Sequence, residues 1–247
     1  YFPKPLVTVN GDPLIIQVIK NIQNYIVPHK FIFIIPESLD TKYSLGSAIK
    51  LVCNCKVDII LRKGTTSGGL CSSLLAIDNI SKHHDMIFSN MDDLIDYDLE
   101  KVIKDFRKSN ADAGLISFKS SHPRWSYIKE GPNGEVVHNI EKKVESKLAA
   151  AGFYYFKEKK LFVEAASRAL LDEDTVNGLY YLSSAINQLI LKGCNVIHKE
   201  IPSNKYHSLY SPDSIKEYEN YLTSKKINDS NQSINIVIPA AGEGSRF

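Results

Sequence analysis

The sequence predicts an α/β fold: a Rossmann-like, mostly parallel sheet covered by helices, with an antiparallel insertion in its second half. Three observations predict it. Short apolar runs recur without alternating with polar residues, the pattern of strands buried on both faces. Stretches with apolar residues three and four apart separate them, which is helical spacing. A Gly131-Pro132-Asn133-Gly134 turn between two strand-like runs marks a hairpin in the second half.

The elements follow in order. After Asp12-Pro13, a favourable helix start, apolar residues fall at Leu14, Ile15, Val18, Ile19, Ile22 and Ile26. Residues 31–35 read as a buried strand, 44–52 as a helix and 57–61 as a strand. A helix over 69–80, a strand over 86–89, a helix over 98–108 and a strand over 113–119 continue the alternation. Residues 125–129 and 135–140 are the hairpin arms, and 149–156 is a further strand. Helices are expected near 160–171 and 180–192, a strand at 195–200 and a helix at 212–222. Residues 223–233 are polar and read as a linker. Beyond them, 234–239 reads as a buried strand that runs into a glycine-rich turn, Ala240-Ala241-Gly242-Glu243-Gly244-Ser245-Arg246-Phe247. The expected organisation is a domain over 1–222, a linker over 223–233, and a segment over 234–247 that completes the same or a neighbouring domain.

Composition narrows the function. The 247 residues are 43% hydrophobic and 23% charged, which suits one large or two small globular domains and excludes extensive disorder. Thirty basic against 28 acidic residues leave a net charge of +2, too little for unspecific nucleic-acid binding. Apolar runs stay far short of the ~20 residues of a membrane span. The opening Tyr1-Phe2-Pro3-Lys4-Pro5 carries no secretory apolar region. Cys53, Cys55, Cys71 and Cys194 make neither a Cys-x-x-Cys pair nor a zinc spacing with histidine, so reduced thiols in a cytoplasmic setting are expected.

Reading the end of the chain into its beginning joins Ile236-Val237-Ile238-Pro239-Ala240-Ala241-Gly242-Glu243-Gly244-Ser245-Arg246-Phe247 to Tyr1-Phe2-Pro3-Lys4-Pro5-Leu6. The join resembles the opening of the nucleotidyltransferase family that makes nucleotide-sugars: a strand, a Gly-x-Gly-[Ser/Thr]-Arg loop and a downstream Lys-Pro. The resemblance implies a GT-A-type fold whose signature strand is displaced to the C-terminus. Circular permutation, a fragment straddling tandem copies, and strand exchange between molecules (a homodimer) each explain that order. It also implies an NTP and a sugar phosphate as substrates and Mg²⁺ as cofactor, with neither nucleic acid nor membrane as partner.

Residue by residue, the resemblance gives the triphosphate to the turn Ala241, Gly242, Glu243, Gly244 and Ser245, where backbone amides face phosphate without a counter-charge. Arg246 and Lys4 neutralise the departing pyrophosphate. Thr66, Ser67 and Gly68, before a helix, match the base-contacting segment, although hydroxyl residues also cap helices. Asn90-Met91-Asp92 ends a strand, where ligands of open α/β sheets gather, and matches the family's Asn-x-Asp with Asp92 as metal ligand. Asp96 and Asp98 read as a turn and a helix cap. Glu141-Lys142 and Ala151-Gly152-Phe153-Tyr154-Tyr155 resemble acceptor-side segments: Lys142 for the attacking phosphate, Glu141 for sugar hydroxyls, and Gly152. Asn177-Gly178 matches an acceptor-side pair, and the stretch around Trp125 resembles the capsule and surface-polysaccharide branch.

Two features depart from the family's pattern. The residue after Asn177-Gly178 is usually Glu and here is Leu179. A late metal Asp before a Gly-Thr turn, and the Gly itself, are missing from the counterpart His207-Ser208-Leu209-Tyr210-Ser211-Pro212-Asp213-Ser214-Ile215. The implied activity is transfer of a nucleoside monophosphate from an NTP to a sugar phosphate, with pyrophosphate leaving. A GT-A-type glycosyltransferase with Asp92-Asp93 as metal pair and a non-catalytic nucleotide- or sugar-binding module are the alternatives.

Overall fold

The computed structural model describes residues 2–81 and 84–229; the strand and glycine-rich turn expected at 234–247 lie outside the described residues. The described elements are β1 (Thr8–Val9), β2 (Asp12–Pro13), α1 (Leu14–Gln23), β3 (Lys30–Pro36), α2 (Glu37–Tyr43), α3 (Leu45–Val52), β4 (Lys56–Arg62), α4 (Gly69–Leu74), β5 (Met86–Ser89), β6 (Asp93–Ile95) and α5 (Leu99–Lys108). They continue with β7 (Ala113–Lys119), β8 (Tyr127–Glu130), β9 (Val136–Ile140), β10 (Leu148–Phe156), α6 (Lys159–Leu171), α7 (Leu182–Leu191), β11 (Val196–Glu200), β12 (Tyr206–Ser208) and α8 (Pro212–Asp229).

Strand β10 organises the molecule. All nine of its residues are buried, because its apolar side chains alternate between two helix-covered faces. Ala150, Tyr154 and Phe156 pack with α6 and α7. Ala149, Ala151, Phe153 and Tyr155 pack with Leu99, Val102, Ile103 and Phe106. One edge of β10 pairs with β7, which pairs in parallel with β11. The other edge meets β8 at Ala149 and β5 from Phe153 to Phe156. The register on β7 shifts between Ala150 and Tyr154, so a bulge sits where the partner changes.

A second block is smaller. β3 and β4 pair in parallel over seven residues and carry α1 and α3 through Ile15, Ile16, Ile19, Ile35, Leu45 and Ile49. The helix phase read from Leu14 to Ile22 puts those isoleucines on one face. Among the described strands, β3 pairs with β4 and β5 with β10, so each of β3 and β5 has one ladder edge without a described partner. Residues 31–34 of β3 are apolar yet only half-buried.

The expected α/β class is what is seen, with parallel pairs at β3–β4 and β7–β11 and antiparallel pairing around β10. Apolar continuity reports burial on two faces and is silent on direction, so the antiparallel set of β5 and β7 on β10 was not readable from it. The helix expected over 69–80 ends at Leu74 and is followed by a 3₁₀ turn at Ile77–Asn79. The helix expected at 212–222 continues to Asp229, into the stretch read as linker. Lys225 supports the extension by donating to Asp96, as Tyr221 does one turn earlier.

Candidate functional site

Chemistry-bearing side chains collect where β5 ends. Asn90 donates its backbone N–H to the Gly152 carbonyl at 3.3 Å, which fastens the strand end to the bulge of β10. Gly152 has φ +67°, and an added Cβ would lie 2.2 Å from Asn90 Nδ2 and 2.5 Å from Asp93 Oδ2. Only glycine fits there. Its absence of a side chain lets Asn90 Nδ2 donate to Asp93 Oδ2 at 2.7 Å.

The two adjacent carboxylates are thereby separated in role. Asp93 is 5% exposed and also accepts from the Tyr206 hydroxyl at 2.8 Å. Burial, with the Asp92 charge beside it, pushes its carboxyl up to about 6. Asp92 instead stays accessible and holds the Lys4 ammonium. Lys4 comes from a 3₁₀ turn at Lys4–Leu6, set by the flanking prolines. The Leu209 N–H closes the back of this corner on the Asp92 carbonyl at 2.7 Å.

A second wall is built on the start of α7. Tyr180 accepts from the Leu70 N–H at 3.1 Å and donates its own N–H to the Ser67 carbonyl at 2.8 Å. Gly68, at φ +109°, makes that strap possible, because a Cβ there would lie 2.3 Å from the Tyr180 carbonyl oxygen. Thr66 Oγ1 lies 2.5 Å from Ser72 Oγ. Tyr181 accepts from Lys142 Nζ at 2.5 Å, and the Ser183 hydroxyl donates to Glu141 at 2.7 Å. Burial holds the Glu141 carboxyl above its usual range, against the Ser183 bond and the Lys142 charge. Asn177 and Gly178 have φ of 54° and 73°, and Val176 and Leu179 exchange both backbone hydrogen bonds across them. That is a two-residue turn of the kind Asn-Gly favours.

Trp125 joins the two walls. Its carbonyl accepts from the Lys142 N–H at 3.0 Å, and its ring packs edge-on to Phe118 and Tyr206. Asp98 caps α5, accepting from the Lys101 N–H, as expected. Asp96 departs from its expected turn role: it accepts from Tyr25, Tyr221, Lys205 and Lys225 and anchors α8.

Of the expected site residues, Lys4 and Asp92 are brought together. Gly152 meets the residues on either side in the Asp92 segment, Asn90 and Asp93, and Glu141, Lys142, Trp125, Thr66, Ser67, Gly68 and Asn177 lie on linked segments. Ala241, Gly242, Glu243, Gly244, Ser245 and Arg246 lie outside the described residues. Sequence reasoning missed Asn90 as the partner of Asp93, and Tyr180, Tyr181 and Ser183 as a hub. The cluster Tyr180-Tyr181-Leu182-Ser183, immediately ahead of a helix, was the available signal.

No group of three or more metal-ligating His, Cys, Asp or Glu side chains converges among the described residues. At this corner Asp92 offers an accessible carboxylate that already faces a cation, Lys4. One carboxylate supplemented by substrate phosphates is a donor set that Mg²⁺ accepts, so the residues fit such an ion. All four cysteines are free thiols, and no described helix is long and apolar enough to cross a membrane.

A family model described as nucleotidyl transferase matches residues 1–196. Comparison with curated proteins finds no match. Among solved structures, the chain is similar to a nucleoside-diphosphate-sugar pyrophosphorylase from Vibrio cholerae, with a TM-score of 0.76 at 20% identity over 89% of this chain and 92% of that one. It is also similar to HddC from Yersinia pseudotuberculosis, with a TM-score of 0.67 at 17% identity over 90% of each chain. At these identities the structures speak for the fold. The match over residues 1–196 speaks for descent: the chain belongs to the nucleotidyl transferase family, a family of enzymes.

Proposed function

We propose that this member of the nucleotidyl transferase family joins an NTP to a sugar phosphate, forming a nucleotide-sugar and pyrophosphate, in cytoplasmic synthesis of surface or capsule polysaccharide. One observation carries the reading. Three segments far apart in sequence are linked by contacts: Lys4 holds Asp92, the neighbouring Asp93 accepts from Tyr206, the Tyr206 ring meets Trp125, and the Trp125 carbonyl accepts from Lys142 beside Glu141. The family match selects this chemistry over the glycosyltransferase alternative.

The acceptor phosphate attacks the α-phosphorus in line, so the protein supplies alignment and charge neutralisation rather than a nucleophile. Lys142 positions the attacking phosphate. Glu141, held by Ser183, accepts sugar hydroxyls, with Gly152, Asn177 and Trp125 shaping the acceptor side. Thr66, Ser67 and Gly68 meet the base. Lys4 and Arg246, with the amides of 241–245, take the leaving pyrophosphate. Asp92 would hold Mg²⁺, which when bound draws charge from the α-phosphate.

The same reading seats residues 234–239 as a strand between β3 and β5. Each of those strands offers one edge without a described partner, and the apolar side chains at 31–34 are half-buried. Tyr25, five residues before β3, and Lys225, near the end of α8, bond the same Asp96 carboxylate. Residues 230–233 span at most roughly 14 Å extended, so the mixing experiment below separates a return to the same domain from exchange with a neighbour.

Arg246→Ala, Lys4→Ala and Asp92→Ala should each abolish pyrophosphate release from NTP, sugar phosphate and Mg²⁺ while leaving the circular dichroism unchanged. Mixing the Arg246→Ala and Asp92→Ala proteins should restore nothing. Wild-type turnover in any single variant would overturn the site, and recovery on mixing would replace the internal strand with an exchanged one.

A further inference from the structure

Arg124 is a described cation that the reading above leaves without a task. Its guanidinium carbon lies 3.1 Å from the Tyr210 ring centroid and 4.1 Å from that of Trp125. Its Nη2 donates to Ser208 Oγ at 3.1 Å. Among the described residues no carboxylate pairs with it, whereas Arg107 and Arg168 each hold an aspartate. Two aromatic rings against the guanidinium carbon hold the group in place, and donors beyond the one given to Ser208 suit it to a bidentate oxyanion.

Its location narrows the oxyanion. Ser208 pairs with Asp93 in the β12–β6 ladder, and the next residue, Leu209, bonds the Asp92 carbonyl. On the other side Trp125, adjacent in sequence, accepts from the Lys142 N–H. The guanidinium thus belongs at once to the carboxylate corner and to the Glu141-Lys142 turn. A phosphate about to attack an α-phosphorus held near Asp92 has to lie between those two places.

We infer that Arg124, clamped between Trp125 and Tyr210, binds the phosphate group of the acceptor. The inference rests on the nucleotidyl transferase reading for the identity of that acceptor, but not for the anion site itself. Ser208 accepts one guanidinium N–H and keeps the fork turned, and the remaining donors meet two phosphate oxygens. Lys142 supplies a second positive charge from the opposite wall. This arrangement gives the exposed Tyr210, 52% accessible, a role as the outer plate of the clamp.

The test uses the full chain, with Arg124→Lys and Arg124→Ala. In turnover, Arg124→Ala should raise KM for the sugar phosphate by about 10- to 100-fold, the worth of a charge-assisted contact, with KM for the NTP within twofold. Arg124→Lys should recover part of it, and Tyr210→Ala, which removes the outer plate, should raise the same KM several-fold. Equal rises in both KM values, or none, would show a merely structural stack and overturn the inference. A second arm needs no turnover: inorganic phosphate and glucose 1-phosphate are titrated by calorimetry. The wild type should bind at least one of them, and Arg124→Ala should bind it at least tenfold more weakly. Indistinguishable titrations, or no binding by the wild type, would overturn the site. A wild type that binds these probes but releases no pyrophosphate with any NTP would sink the enzymatic reading and leave the anion site standing.

Discussion

Gly152→Ala probes the point on which the carboxylate corner turns. Two costs can be worked from the structure. The first is backbone: at φ +67° a residue with a Cβ costs about 1 kcal/mol. The second is local. The new Cβ, 2.2 Å from Asn90 Nδ2 and 2.5 Å from Asp93 Oδ2, has to expel the Asn90 amide. Asp93 cannot yield, because Tyr206 holds its other oxygen. Losing a donor to a buried carboxyl costs about 2 kcal/mol more, giving a total of about 3 kcal/mol. In a chain of this size that lowers Tm by roughly 6–12 °C. Gly134→Ala is the control, since Gly134 has φ +81° with nothing within 4 Å of its added Cβ, and it should cost only the backbone part. Urea unfolding of both variants at one pH measures the difference. If Gly152→Ala is no more destabilising than Gly134→Ala, the bulge does not clamp Asn90 and Asp93, and the separation of Asp92 from Asp93 needs another cause.

Two further outcomes follow from the α8 side of the molecule. Burial pushes the His207 imidazole down to about 4, so the folded state keeps it neutral while the unfolded chain takes up a proton below about 6.5. Stability should therefore fall by about 2 kcal/mol as pH drops from 6.5 to 4. His207→Phe, which keeps the ring contacts with Tyr218 and Tyr221, should flatten that slope in urea titrations, and parallel profiles would refute it. At Asp96 burial opposes the charge, yet Tyr221, Tyr25, Lys225 and Lys205 hold the carboxyl well below its ordinary range. Asp96→Asn should cost about 2–3 kcal/mol and should first raise amide hydrogen exchange in α8; exchange in α8 unchanged from wild type would refute the anchor.

What the sequence made legible is what burial writes into it. Residues 31–35 and 57–61, the Leu14–Ile22 phase and the nine-residue β10 are continuous or periodic apolar signals, and each became the element expected. The missed elements lack such a signal. Helix α2 has no buried residue, and β6 and β12 are three-residue strands whose pairing is decided by Tyr206 reaching Asp93. In the site, motif spacing singled out the Asn90-Met91-Asp92 segment and Gly152 but not why the two segments meet. That depends on the register shift in β10, a long-range property of three strands. Likewise Tyr181 and Ser183 lie some 40 residues along the chain from Lys142 and Glu141, and no local pattern links them.

The two departures from the family pattern change the balance of charge in one direction. Leu179 stands where Glu is usual, and it closes the Asn177 turn through backbone hydrogen bonds that no side chain needs to supply. Ser208 and Leu209 occupy the segment where a late Asp is usual, and there Ser208 accepts from Arg124. On the function proposed above, each change removes a negative charge from the side on which two phosphates approach. Asp93 is pushed toward its neutral form by burial, and Glu141 in the same direction. That leaves Asp92 as the accessible carboxylate of this corner, facing Lys4, with Arg124 and Lys142 on the segments linked to it through Ser208 and Trp125. Repulsion between an attacking phosphate and a triphosphate is a large part of the barrier such a reaction meets. A site with fewer carboxylates that keeps its cations answers that repulsion with its own side chains, so the reading requires Arg124 and Lys142 to matter more for the acceptor than a second metal-binding carboxylate would.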